Sequence, residues 1–156
     1  MTKNIKLSHG FTALVDDNMF DFLSQRKWSV FEDRCGKKYA VCQNIRMHRV
    51  ITNCPENMEV DHIDGDGLNN QLSNLRVCTK SQNMANRKIN KNNTTGFKGV
   101  RRFYYNKNKY TSKVNTNGKQ YYLGIFNTAI DAAKAYDKKA RELFGHFAKT
   151  NFEEKK

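Results

Sequence analysis

EVDHIDGDGLNNQLSNLRVCTKSQN, residues 59–83, carries the densest chemistry of the chain, and its reading decides the fold. Asp61 and His62 close a short run flanked by the apolar Met58, Val60 and Ile63. Asp64-Gly65 and Asp66-Gly67 follow, and Asp-Gly pairs mark turns because glycine takes positive φ without a Cβ penalty. A loop is expected there. From Asn74 to Cys78, Leu75 and Val77 alternate with Arg76, as in a short strand. Thr79-Lys80-Ser81-Gln82 has the form of a capping box, so a helix should begin at that point. The predicted order is strand, loop, strand, helix, with Asp61 and His62 adjacent at the end of the first strand and Asn83 in the first helical turn. Asp61 offers a hard anionic oxygen and Asn83 a neutral carbonyl oxygen, ligands that suit Mg²⁺ better than zinc. His62, with an ordinary pKa of ~6.5, can accept a proton near neutrality. These groups fit hydrolysis of a phosphodiester. A calcium loop of the EF-hand type would instead need Glu at its twelfth position, which counted from Asp61 is Leu72.

The string Val60-Asp61-His62-Ile63, with Asn70, Asn74-Leu75-Arg76, Thr79 and Asn83 at their spacing, resembles the HNH nucleases with a ββα-metal core. The resemblance implies one divalent metal, Mg²⁺ or Mn²⁺, per active site on Asp61 and Asn83. It implies His62 as general base and Asn74 as the residue that holds the loop in shape. Asn83 stands where other branches have a last histidine, which matches the oxygen-ligated phage homing-endonuclease branch and argues against zinc.

Charge points to a polyanionic partner. The 156 residues carry a net +13, divided as +4 over residues 1–50, zero over 51–95 and +9 over 96–156. Neutralised phosphates and released counterions supply most non-specific affinity for nucleic acid, and the resemblance to the nucleases makes double-stranded DNA the expected partner. A membrane is not expected. No apolar run approaches the ~20 residues needed to span a bilayer, and the N-terminus does not read as a signal peptide, so a cytoplasmic protein is predicted. Cys35, Cys42, Cys54 and Cys78 are too widely spaced for paired zinc ligands and read as reduced thiols.

Ahead of the quoted stretch, residues 3–30 predict two strands and a short helix. Trp28 and Val30, then Tyr39 and Val41, then Ile45, Met47 and Val50 read as further strands across a Cys35-Gly36 turn. A nuclease core of this size buries little alone, so this small sheet should back it. His48 falls out of the apolar alternation and reads either as a strand histidine or, beside Arg46 and Arg49, as a phosphate contact. His48, Arg49 and, farther on, Arg87 are counted as candidate DNA-binding residues.

Residues 88–95, KINKNNTT, lack an apolar stripe and read as a solvated linker. From Gly96 three strand-like runs follow: residues 97–105, a polar NKNK turn, 110–116, then Asn117-Gly118 and 120–126. Asn-Gly is the strongest short hairpin signal, because a type I′ turn needs positive φ twice. Thr128 to Asp131 is a second capping box, and Ile130, Ala133, Tyr136, Ala140, Leu143 and Phe144 recur at helical spacing up to Gly145. The strings GVRR, YLGIF, AAKAYD and TNF, over Gly96 to Phe152, resemble the plant APETALA and ethylene-response-factor DNA-binding domain. That family reads the major groove with its three-stranded sheet, which implies Arg101 as a contact residue. Lys113, Arg102, Tyr105, Tyr122 and Lys109 are further candidates, while the departures at Tyr105, Lys113, Asn115, Gln120 and Tyr122 rule out carrying over the plant target sequence.

The expected protein is therefore α+β. A nuclease domain at 1–87, with its ββα-metal core at about 47–87, is followed by a linker at 88–95 and a sheet-and-helix DNA-binding domain at 96–152. The combination resembles phage and mobile-element homing endonucleases acting in a bacterial host cell, as monomers. The alternatives are a DNA-binding regulator with an inactive HNH core and an RNA-directed or structural phage protein.

Overall fold

In the computed structural model of the chain, which describes residues 1–152, β1 (Thr2–Lys6) and β2 (Thr12–Asp16) form an antiparallel hairpin with Ile5 opposite Ala13. α1 (Asp17–Ser24) follows at once and buries Leu23 completely. The Trp28 indole donates from Nε1 to the Leu23 carbonyl at 2.8 Å, beside the Arg26 N–H that the same carbonyl accepts at 3.2 Å, which ties Trp28 to the end of the helix. β3 (Ser29–Glu32), β4 (Lys38–Cys42) and β5 (Ile45–Arg46) make a second antiparallel sheet in that order. Ile5, Val15, Leu23, Trp28, Ala40 and Met47 belong to the core these elements enclose.

The strand expected to run on through Val50 stops at Arg46, and Met47–Thr52 is the helix α2. Met47 is buried and Val50 and Ile51 pack on the same core, at i+3 and i+4, which is helical spacing. A short apolar run is compatible with either period, and the contact with the core decides it.

β6 (Glu59–His62) and β7 (Leu75–Cys78) pair antiparallel, with Asp61 opposite Arg76 and His62 opposite Leu75. α3 (Lys80–Ala85) starts directly after Thr79, where the capping box placed it. The loop between β6 and β7 is fastened to β2. Leu14 N–H donates to the Leu68 carbonyl (2.9 Å), Asn70 N–H to the Leu14 carbonyl (2.7 Å), and Leu72 N–H to the Asp16 carboxylate (2.7 Å). Leu68 packs on the N-terminal core. The loop therefore takes its shape from the sheet behind it. Gly65 has φ +81°, as its turn requires. Gly67 is needed for space instead: a Cβ there would lie 2.3 Å from the Lys38 carbonyl oxygen.

The chain divides into two units, Met1–Lys80 and Ser81–Lys156, a division that falls inside α3 and ahead of the expected linker. In the second unit, β8 (Val100–Phe103), β9 (Asn106–Thr116) and β10 (Lys119–Phe126) form an antiparallel sheet in the order β10-β9-β8. α4 (Ala129–Phe144) packs on it through Ala132, Ala133, Tyr136, Ala140 and Phe144. Thr128 caps α4, its Oγ1 accepting from the Asp131 N–H at 3.1 Å. Asn117 and Gly118 have φ +48° and +75°, the two positive values of the expected hairpin turn. Two details differ from expectation. The β8–β9 turn is Tyr104-Tyr105, and NKNK begins β9, because its exposed residues show no alternation to read. Ile130 is 49% exposed and Ala132 takes its place in the buried stripe. The fold class is α+β, as read. Among the described residues no helix is long and apolar enough to cross a membrane, and all four cysteines are free thiols.

Candidate functional site

Asp61 and His62 end β6, and alternation along the strand sends them to different neighbours. Asp61, 5% exposed, meets Arg76 across the hairpin. Arg76 Nε donates to Oδ2 at 2.8 Å, and Nη2 lies 2.6 Å from the same oxygen. The His62 ring, also buried, has Nε2 3.4 Å from Asn70 Oδ1. The Asn70 amide nitrogen donates to the Leu68 carbonyl at 3.2 Å, which leaves Oδ1 as an acceptor for His62 Nε2–H and Nδ1 as the acceptor of the ring. Two further rings flank His62, with His48 at 5.0 Å between centroids and Tyr39 at 6.1 Å. Burial holds the His62 pKa below its ordinary value, although Asn70 and the Asp64, Asp61 and Asp66 carboxylates pull it back up. The imidazole is thus neutral at pH 7, the form that accepts a proton.

Asn74 braces the loop from inside. Its Oδ1 accepts from Asp64 N–H (3.1 Å), and its Nδ2 donates to the Asn69 carbonyl (2.9 Å) and to Asp64 Oδ1 (3.0 Å). Its own carbonyl accepts from Ile63 N–H at 2.9 Å. Asn83 lies in α3, whose residues from Ser81 onward belong to the second unit. A carboxylate with an amide oxygen is a donor set that fits a hard divalent cation retaining several waters.

Two candidate DNA contacts near this hairpin have other surroundings than expected. His48 is not on a strand surface. It sits in α2, 4% exposed, against His62 and Tyr39, and burial pushes its pKa down to about 3. Arg49 spends its guanidinium on the carbonyls of Met58 (2.9 Å), Cys54 (3.2 Å) and Pro55 (2.7 Å), which braces the turn between α2 and β6. Arg87 is exposed just after α3.

In the second unit, cross-strand pairs define the face of the sheet opposite α4. Arg101 pairs with Thr111, Lys113 with Tyr122, and Asn115 with Gln120. Ser112 and Val114, the intervening residues of β9, are buried beneath the helix. Arg101, Lys113 and Tyr122 therefore share the open face. Arg102 alternates to the other side, where its guanidinium lies over the Tyr110 ring at 5.7 Å and donates to the Lys107 carbonyl at 3.0 Å. Tyr105 is at the turn, 84% exposed, and Lys109 is exposed on the outer half of β9.

Two site neighbours were given no role in the sequence reading, and a third, His48, was a candidate placed on the wrong kind of element. Arg76 was legible in principle, because pairing His62 with Leu75 puts Asp61 opposite Arg76. Asn70 stood in the spaced pattern without a role. The approach of His48 to His62 depends on α2, which was read as strand. In the second unit the buried Asp137 was also missed. Its carboxylate accepts from Asn151 N–H (2.8 Å), Asn151 Nδ2 (2.9 Å) and Phe152 N–H (2.9 Å), which ties the TNF string to α4.

The family model described as HNH endonuclease matches residues 47–85. An uncharacterized HNH endonuclease of Acanthamoeba polyphaga mimivirus is 35% identical over 148 residues, covering 91% of this chain and 75% of the relative. Protein 3.8 of Escherichia phage T7 is 35% identical over 95 residues, 61% of this chain and 77% of its own length. An ethylene-responsive transcription factor of Medicago truncatula is 36% identical over 85 residues, 54% of this chain but 32% of the plant protein.

Proposed function

This chain belongs to the HNH endonuclease family, and from that premise we propose that it is a metal-dependent endonuclease of double-stranded DNA. Residues 1–87 form the nuclease domain, 88–95 the linker and 96–152 an ethylene-response-factor-like domain that targets it. The reading rests chiefly on one observation, the buried His62 imidazole held through Nε2 by Asn70 Oδ1 at the end of the strand that also carries Asp61. Oriented through Nε2, His62 takes a proton from the attacking water at Nδ1. Arg76 fixes the Asp61 carboxylate, and Asn74 keeps the loop from collapsing onto the substrate side. Asp61 and Asn83 would hold Mg²⁺ or Mn²⁺, one ion per site, which would supply Lewis-acid stabilisation of charge on the phosphate. Arg101, Lys113 and Tyr122 face the DNA. Action in the cytoplasm of a host cell, as a monomer, completes the proposal.

The ion pair between Asp61 and Arg76 favours a second reading, a DNA-binding regulator with an inactive core, because a guanidinium already compensates the carboxylate. Cleavage of supercoiled duplex DNA separates the two. With Mg²⁺ the wild type should cut, and EDTA should stop it. His62→Ala should slow cutting by roughly 10²- to 10⁴-fold, the usual contribution of a general base, and leave DNA binding intact. Tight binding with no cutting in any divalent metal would establish the regulator instead.

A further inference from the structure

Beside β8, the segment that precedes the sheet is a fixed wall and not a loose tether. Asn93 is its knot: Oδ1 accepts from Thr95 N–H (3.0 Å) and Gly96 N–H (2.7 Å), while Nδ2 donates to the Phe97 carbonyl (2.9 Å). Thr95 Oγ1 donates onward to the Val100 carbonyl at 3.1 Å, at the first residue of β8. Between this wall and the sheet runs a groove of about 460 Å³, with Asn90, Asn92 and Thr94 on one side and Arg101, Lys113 and Asn115 on the other. Arg102 also lines it, and among the described residues no acidic one does. The side chains of Asn90, Asn92 and Thr94 are exposed and, among the described residues, make no hydrogen bond within the protein.

We propose that this groove seats the phosphodiester backbone of one strand of duplex DNA, with Asn90, Asn92 and Thr94 donating neutral hydrogen bonds to phosphate oxygens that Lys113 neutralises from the opposite wall, which leaves Arg101 to the base edges. The volume suits a nucleotide-sized unit and not a bare ion, being within the ~300–1,000 Å³ of ordinary small-ligand sites. Asparagine and threonine are common phosphate donors that position a duplex without reading its sequence. A lining with cations and, among the described residues, no carboxylate selects a polyanion. The inference rests on the reading of the second unit as the DNA-binding domain.

Neutral and charged contacts differ in one measurable way. Only a contact that neutralises a phosphate releases a counterion, so only the cations should appear in the salt dependence of binding. The full-length chain is titrated with a short duplex in EDTA, so that no cutting occurs, over a range of salt. N90A/N92A/T94A, which keeps the Asn93 knot, should bind roughly ten-fold more weakly at every salt concentration, with the slope unchanged, as expected for lost hydrogen bonds to charged acceptors. Lys113→Ala should weaken binding and flatten the slope by about one unit. If the triple variant binds as wild type while Lys113→Ala is weakened, the groove inference is wrong and the DNA-binding domain stands. A slope flattened in the triple variant would also overturn it, because the wall would then be acting through displaced cations. If neither Arg101→Ala nor Lys113→Ala weakens binding, the domain assignment fails and takes the groove with it.

Discussion

A histidine packed ring to ring against another histidine makes stability depend on pH, and His48 shows the sign. Its folded pKa is about 3 against an ordinary 6.5, through burial first and the nearby positive groups second. Between those values the unfolded chain binds a proton that the folded chain does not, so this contribution is fully present above pH 6.5 and is lost as pH falls toward 3. From pH 6.5 to 5 the loss amounts to about 2 kcal/mol from His48. His62 is shifted in the same direction and adds to it. Urea midpoints measured in EDTA at pH 7 and pH 5 should show this fall in the wild type and a smaller one in His48→Phe, which keeps a ring in the space. An equal fall in both would mean that His48 does not titrate as its burial demands. At this scale, what could be read in the linear chain was what depends on local spacing. Asp61, His62, Asn74 and Asn83 stand at intervals that survive any register. The partnerships of Arg76 with Asp61 and of Asn70 with His62 depend on which residues face each other once strands pair, and residue identity alone does not specify that.

Elements were legible where a turn or cap is enforced by backbone chemistry, and illegible where the surroundings choose the period. Asn117-Gly118 and Thr128 have local causes, and both are where the residues placed them. α2 has none, since MHRVIT suits a strand until Met47, Val50 and Ile51 meet the core. The glycines of the second unit make the distinction testable. Gly99 has φ +77°, and a Cβ there would lie 1.9 Å from the ring of Tyr136, a buried residue of α4. Gly118 has φ +75° with open space around it. Gly99→Ala should cost about 3–5 kcal/mol, strain plus overpacking, whereas Gly118→Ala should cost only about 1–2 kcal/mol. Thermal melts compare them directly, and equal shifts would mean that the ring of Tyr136 moves aside at no cost. The phase of β8 carries a second prediction. Arg101→Ala should relax base preference at one or two positions of the target, because arginine is the commonest reader of guanine, and Arg102→Ala should not. Cleavage of a randomised duplex library by the two variants checks it, and a changed preference in Arg102→Ala alone would reverse the assignment of faces.

The whole chain is joined at a different place from the one its composition advertises. The polar run at 88–95 invites a cut there, yet α3 is held within the second unit from beyond it. Ser81 Oγ lies 2.7 Å from Thr116 Oγ1, and the Ala85 carbonyl accepts from Lys98 Nζ and from Lys149 N–H. These links join residues far apart along the chain, so no local pattern foretells them. A chain ending at Lys91 loses all three, and its residues 80–85 should exchange their amide hydrogens at least ~10-fold faster than in the full protein. Unchanged protection would mean that other contacts hold α3. The same stitching bears on how such a protein could be recombined. A chimera that swaps in a foreign targeting domain behind residue 95 would keep Asn83 on a helix whose moorings have left with the old domain. A graft joined at Thr79 or Lys80 would bring helix and moorings together, so the workable unit of exchange begins with the helix and not with the sheet.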